Sequence, residues 1–275
     1  MKSTLLNLIR YLMRKNILNR SILDAKIFRA KSPKIYKLFR KFKGNRCVII
    51  GNGPSLNECD LKLLENEFTF GVNGIFYKTK ECGFRPTFYT VEDSHVMRDN
   101  LKEIISFEAP YKFFPTNYLK YFRGQKCDNL YFFNMNRGFY EVAGDNYEKP
   151  YISTDCSEVV YCGQSVTIIN LQLALYMGFS QIYLIGMDFD YEIPASAIVE
   201  GQDITSTDYD VNHFHPDYFG KGKKWHDPKL HNVLKSYKHI QDVANKMDVK
   251  IFNATKGGKL EVFERVNYEN VFKAT

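Results

Sequence analysis

Residues 47–56 read Cys-Val-Ile-Ile-Gly-Asn-Gly-Pro-Ser-Leu, an apolar run that breaks into two glycines, a proline and a serine. Val48 to Ile50 suit a strand buried on both faces, the glycines suit a tight turn, and 56–64 suit a helix or turn behind it. Outward from this stretch the alternation repeats. Segments 68–72, 87–91, 111–114 and 130–133 read as strands, and 165–177 reads as a helix ended by Gly178. A buried-type strand at 181–185 ends at Gly186, 229–247 is helical, and 249–253 is a last strand. Between them, 140–161 and the long stretch after Gly186 are polar and irregular. Alternation of this kind predicts an α/β fold, a Rossmann-like, mostly parallel sheet with helices on both faces. Ligands of such sheets bind beyond the carboxyl ends of the strands.

The 275 residues are 44% hydrophobic and 15% aromatic, enough apolar surface for one large globular domain. No apolar run reaches the roughly 18 to 20 residues that cross a bilayer, and the first residues lack a secretion-signal pattern. A cytoplasmic location is expected. Cys47, Cys59, Cys82, Cys127, Cys156 and Cys162 show no Cys-x-x-Cys spacing and read as reduced core or strand residues.

The net charge of +7 is unevenly spread. Residues 1–43 hold 13 Lys and Arg against Asp24 alone, while the remainder holds 25 against 30 acids. Within the basic part, Leu5, Ile9, Leu12 and Met13 form a helical stripe continued by Ile17 and Leu18. This predicts two parts: a basic amphipathic helical segment at 1–43 and a Rossmann-like domain at 44–275, divided near Gly44-Asn45. Such a helix either packs on the domain or lies on an anionic membrane surface, at the inner face of the cell membrane. No second basic surface or nucleic-acid module is present, so nucleic acid is excluded as a partner.

Five motifs carry candidate chemistry. Gly51-Asn52-Gly53-Pro54-Ser55 lets backbone approach a phosphate, with a following helix N-terminus to favour the anion. Asn73, before Gly74, follows the second strand and would face the same crevice. Gln164 and Ser165 stand where the N-cap of the long helix belongs. Gly186 and Asp188 follow the buried strand, and Asp188 with Asp190 forms an Asp-x-Asp. In an extended chain both would share a face, so Asp188 bonds a ribose or the pair holds Mg²⁺. Last comes the loop 210–220, Asp-Val-Asn-His-Phe-His-Pro-Asp-Tyr-Phe-Gly. Histidine suits proton transfer near neutral pH, making His213 and His215 candidate bases. As a metal pair they would need a third ligand from Asp217 or His226.

These pieces in this order resemble bacterial sialyltransferases of the Campylobacter lipooligosaccharide type. They also resemble the wider group of motility-associated-factor glycosyltransferases and 6-hydroxymethylpterin diphosphokinase-like proteins. Ile-Ile-Gly-Asn-Gly-Pro-Ser at 49–55, Gly-Gln-Ser-Val at 163–166 and Ile-Tyr-Leu-Ile-Gly-Met-Asp-Phe at 182–189 carry the resemblance. It implies Asn52, Gly53, Ser55, Asn73 and Ser165 as contacts to a CMP donor, with Gly186 and Asp188 beside the ribose and base. It further implies inverting transfer of a sialic-acid-like or Kdo-like sugar to a glycan or lipid-linked acceptor, with a histidine base and no required cofactor. Tyr191 and Tyr218 match the tyrosines that steady the leaving phosphate, and Thr255 and Lys259 reach the ligand from the tail. A homo-oligomer is expected. The rival reading is a Mg²⁺-dependent, pterin-type pyrophosphokinase using ATP; a non-catalytic nucleotide-binding domain is a third.

Overall fold

The computed structural model describes residues 33–125, 127–138, 150–201 and 203–273. The amphipathic helix expected over 5–18 lies outside the described residues, as do 139–149. The strands in chain order are β1 (Arg46–Ile50), β2 (Phe68–Val72), β3 (Phe88–Thr90), β4 (Tyr111–Pro115), β5 (Leu130–Phe133), β6 (Met135–Asn136) and β7 (Val160–Tyr161). They continue as β8 (Gln181–Ile185), β9 (Ile198–Glu200), β10 (Asp203–Thr205), β11 (Lys224–His226), β12 (Lys250–Asn253) and β13 (Glu264–Arg265). The α-helices are α1 (Pro33–Tyr36), α2 (Phe76–Cys82), α3 (Ser94–Asp99), α4 (Leu101–Ser106), α5 (Val166–Met177), α6 (Leu230–Lys246) and α7 (Tyr268–Phe272).

Eight strands form one sheet in the order β13-β12-β8-β1-β2-β3-β4-β5, and every neighbouring pair is parallel. From β1 the chain moves outward through β2 to β5; it then returns to β1's other side and moves outward again through β8, β12 and β13. The order therefore reverses between β1 and β8, which pair in register from Arg46 with Gln181 to Ile50 with Ile185. A reversal of this kind opens a crevice past the strand ends.

Alternation along each strand feeds two cores. Cys47 and Ile49 face one side with Phe70, Phe88, Phe113 and Phe133, while Val48 and Ile50 face the other with Tyr89 and Phe114. On the first side α5 is buried from Thr167 to Met177 on every face, and its buried Asn170 and Gln172 are hydrogen-bonded to Thr90 and to the Tyr161 carbonyl. It stays covered because α6 packs on it, turning Val233, Tyr237, Ile240 and Ala244 inward. Gly178, in the left-handed region at φ +89°, ends α5 as the sequence predicts.

Packing of the domain begins before residue 44. Ile35, Leu38 and Phe42 are buried in the first core. Phe42 stacks on Phe179 at 5.3 Å and meets Phe68 and Phe88 edge-on. The basic residues between them point outward, which is why charge counting alone separates this stretch from the domain. Residues 54–64 form two short 3₁₀ turns, Pro54–Glu58 and Leu61–Leu64, and no α-helix. The long polar stretch after Gly186 folds in part into a small antiparallel sheet, β9-β10-β11. Among the described residues, no helix is long and apolar enough to cross a membrane.

Candidate functional site

The turns after β1 and β8 interlock. Gly51 donates its N–H to the Ile185 carbonyl at 2.8 Å, and Gly53 donates to the Gly186 carbonyl at 3.0 Å. The Ser55 N–H donates to Asp188 Oδ1 at 3.1 Å, and the Ser55 hydroxyl donates to Asp188 Oδ2 at 2.7 Å. A β-carbon on Gly53 would overlap the Asp188 carboxylate, and one on Gly51 would overlap the Gly186 carbonyl. The glycines are therefore required for two chain segments to pass in contact. By sequence pattern alone these glycines suit phosphate approach. The helix N-terminus that the same pattern predicts for an anion is absent, because Pro54–Glu58 is a five-residue 3₁₀ turn. Ser55 has both its donors committed to Asp188, so it braces the wall of the site from behind.

Past this lock lies an open cleft with about 1110 Å³ of empty space, including the part open to solvent. Gly51, Asn52, Gly53, Asn73, Gln164, Ser165, Gly186, Asp188, Tyr191, His213 and Tyr218 all line it. Ser55 and His215 do not. The N-terminus of α5 opens onto the cleft through Val166 and Thr167. Ser165 caps it by accepting the Thr167 N–H at 3.3 Å, and the helix end favours an anion there. Asn73, Gln164 and Phe189 are non-glycine residues with φ of +45°, +65° and +53°, and all three line the cleft. Each such conformation costs on the order of 1 kcal/mol, and clustering of this cost marks functional sites.

Asn52 is oriented by its neighbours. Its Nδ2 donates to the Val72 carbonyl at 3.0 Å and to the Tyr218 hydroxyl at 2.9 Å. Its Oδ1 is buried without a hydrogen-bond partner, leaving an acceptor for a ligand donor group. The Asn73 side chain reaches the neighbouring turn after β3, accepting the Glu92 N–H at 3.3 Å. Gly74 is needed beside it because a β-carbon there would overlap the Tyr218 ring.

The loop after β10 separates the two histidines. His213 Nδ1 donates to Asp210 Oδ2 at 2.7 Å, and its Nε2 lies 3.0 Å from the Tyr191 hydroxyl. Asp210 also accepts the N–H groups of Asn212 at 2.8 Å and Phe219 at 2.9 Å. Burial works against its ionisation, but the His213 hydrogen bond and charge, with those two N–H groups, hold it below the usual carboxylate range. An ionised Asp210 assigns the neutral imidazole proton to Nδ1 and leaves the Nε2 lone pair toward Tyr191. Burial raises the Tyr191 phenol above its ordinary range, so it stays protonated and donates to Nε2. Tyr218 stacks on His213 at 4.0 Å, fixing the ring plane. His215 instead stacks on Tyr77 at 4.2 Å, outside the cleft.

Asp188 and Asp190 do not share a face. β8 ends at Ile185, and the left-handed Phe189 turns the chain between them. Asp188 stays on Ser55, while Asp190 pairs with Lys259 at 2.9 Å. The Thr255 hydroxyl accepts the Met187 N–H at 3.1 Å. Thr255 and Lys259 thus brace the Gly186–Asp190 segment and do not line the cleft. His226 comes within ligand distance of His95 and Asp203 and does not join the His213/His215 pair as a third ligand. Sequence reasoning missed Glu92, Asp93 and Tyr237, which also line the cleft. Glu92 is lifted to about 7 by burial, against the pull of Arg137. Glu92 and Asp93 follow β3 directly, so the strand-end rule applied to the third parallel strand finds them.

Residues 23–194, more than half of the chain, match the family described as 6-hydroxymethylpterin diphosphokinase MptE-like. The match includes the β1 and β8 turns and ends before Asp210 and His213. No curated protein matches the chain significantly.

Proposed function

The chain belongs to the 6-hydroxymethylpterin diphosphokinase MptE-like family, and from that premise we propose that it is a nucleotide-dependent transferase acting on an acceptor hydroxyl. One observation carries the proposal: the His213 imidazole, oriented by the Asp210 carboxylate behind it, lines the same cleft as the β1 turn and the N-terminus of α5. The α5 terminus receives the donor phosphate, and Asn52 Oδ1 accepts from a ribose hydroxyl or base amino group. His213 Nε2 takes the proton of the acceptor hydroxyl as the acceptor oxygen forms its new bond. Tyr191, freed from Nε2, donates to the departing phosphate.

The donor we infer is a CMP-activated acidic sugar of the sialic-acid-like or Kdo-like class, passed with inversion to a glycan or lipid-linked acceptor. One feature supports a glycosyl donor: the Asp188 and Asp190 carboxylates are each committed to other side chains. A specific observation favours the second reading, Mg²⁺-dependent pyrophosphoryl transfer from ATP to a pterin. Glu92, Asp93 and Asp227 line the cleft as further carboxylates and would suit a metal-bound triphosphate. Attachment to an anionic leaflet at the inner face of the membrane belongs to the first reading. Tyr36 and Phe39, 71% and 55% exposed beside Lys37, Arg40 and Lys41, support it.

Thermal shift with CMP and with ATP, each with and without Mg²⁺, separates the readings. Stabilisation by CMP without metal is the expected result; stabilisation by Mg²⁺-ATP alone overturns the glycosyl reading. Replacing His213 with Ala leaves CMP affinity within about twofold and lowers transfer by at least about a hundredfold. Unchanged transfer refutes His213 as the base.

A further inference from the structure

We infer that His95, Asp203 and His226 form a binding site for a divalent transition metal of the zinc class, separate from the proposed transfer chemistry. The three come from distant parts of the chain. His95 sits in α3, while Asp203 and His226 lie directly opposite each other in the β10–β11 ladder. Their ligand atoms all fall within 4.8 Å of one another. His226 Nδ1 is 3.0 Å from Asp203 Oδ1, and His95 Nε2 is 3.5 Å from the same oxygen. Metal–ligand bonds of about 2.0–2.1 Å in a tetrahedron put neighbouring ligand atoms about 3.3 Å apart. The two separations to Asp203 bracket that edge and the His95–His226 separation stays within 4.8 Å, so an ion fits with small side-chain shifts.

A second observation points to a ligand. His95 is only 7% exposed, and its buried Nε2 faces Asp203 and His226 with only a long 3.5 Å approach to Asp203 Oδ1 and no hydrogen bond of normal geometry. A buried imidazole nitrogen left in this way is costly unless something binds it. Two imidazoles and one carboxylate are a donor set typical of zinc, with further positions open to water. Asp203 and His226 keep 40% and 28% of their side chains exposed, so an ion can enter from solvent.

One group competes. The Arg98 guanidinium donates to His95 Nδ1 at 2.7 Å, which puts the neutral ring's proton on Nε2. A metal on Nε2 moves that proton to Nδ1 and displaces Arg98, an exposed residue that can turn into water. Lys224, which lies next to Trp225 in β11 and 3.7 Å from Glu200, is the other nearby cation. Because His226 also lines the cleft, a bound ion would clip the β9–β11 sheet to α3 and stiffen that wall.

The test is isothermal titration of the chelator-stripped full chain with zinc, repeated with cobalt to read the ligand-field spectrum. One ion per chain is expected, with a cobalt spectrum of tetrahedral nitrogen and oxygen ligation. His95→Ala and Asp203→Asn should each weaken zinc binding at least about tenfold. Asp203 is partly exposed, so its variant is expected to fold even where His95→Ala does not. Arg98→Ala should bind zinc as tightly or more tightly. Zinc affinity unchanged in folded Asp203→Asn, or thiolate bands from the exposed Cys82 and Cys127, overturns the site.

Discussion

Replacing Asp210 with Asn tests the proposed base most directly, because it changes one charge and almost no volume. In the native site the carboxylate accepts His213 Nδ1–H at 2.7 Å and two backbone N–H groups. During transfer His213 becomes an imidazolium about 4 Å from the carboxylate centre. At an effective dielectric of about 20, losing that attraction costs about 4 kcal/mol, or about three decades in rate. The amide also presents an N–H toward Nδ1, favouring the tautomer whose Nε2 has no lone pair. Asp210 does not line the cleft, so nucleotide binding should change by less than about twofold. Stability should fall by about 1–3 kcal/mol from the weakened hydrogen bonds. Initial-rate assays with the donor identified by thermal shift, alongside circular dichroism for folding, separate these effects. A folded Asp210→Asn protein with kcat within about fivefold of the parent refutes the Asp210–His213 assignment.

Two further outcomes follow from the packing. Glu92 is raised from its ordinary value near 4.5 to about 7, so the folded state holds a proton that the unfolded state has released. Its stabilising contribution is complete below pH 4.5 and is lost as pH rises through about 7; Glu92→Gln should flatten the melting temperature between pH 5 and 7.5, and an unchanged slope excludes Glu92 as its source. Phe42→Ala should cost about 3–5 kcal/mol, because the ring is buried against Phe68, Phe88, Tyr111 and Phe179. A loss under about 1 kcal/mol in chemical denaturation would mean that residues before 44 pack only loosely on the domain.

Local pattern makes most of this molecule legible. The runs around Ile49, Phe70, Phe113 and Leu184 are strands because short β-branched and aromatic segments bounded by turn residues have few other ways to be buried. Gly178 and Ser165 mark the ends of α5 because capping chemistry acts within a few residues. Most candidate ligand residues share one cleft because each follows a parallel strand or starts a helix at the same sheet edge.

Tertiary structure decided what local pattern cannot contain. Ser55 and Asp188 are 133 residues apart, so no local rule shows that they bond each other and take Ser55 off the cleft surface. His213 and His215 are equivalent by spacing; only the folded loop gives His213 its carboxylate and tyrosine and sends His215 to Tyr77. His226 meets His95 across 131 residues of chain, a partnership set by how the β10–β11 ladder lies on α3. The β1 turn itself was visible from the start, as glycines between a strand and a serine. That those glycines let β1 and β8 lock, where backbone crowding forbids a side chain, depended on which strand became its neighbour.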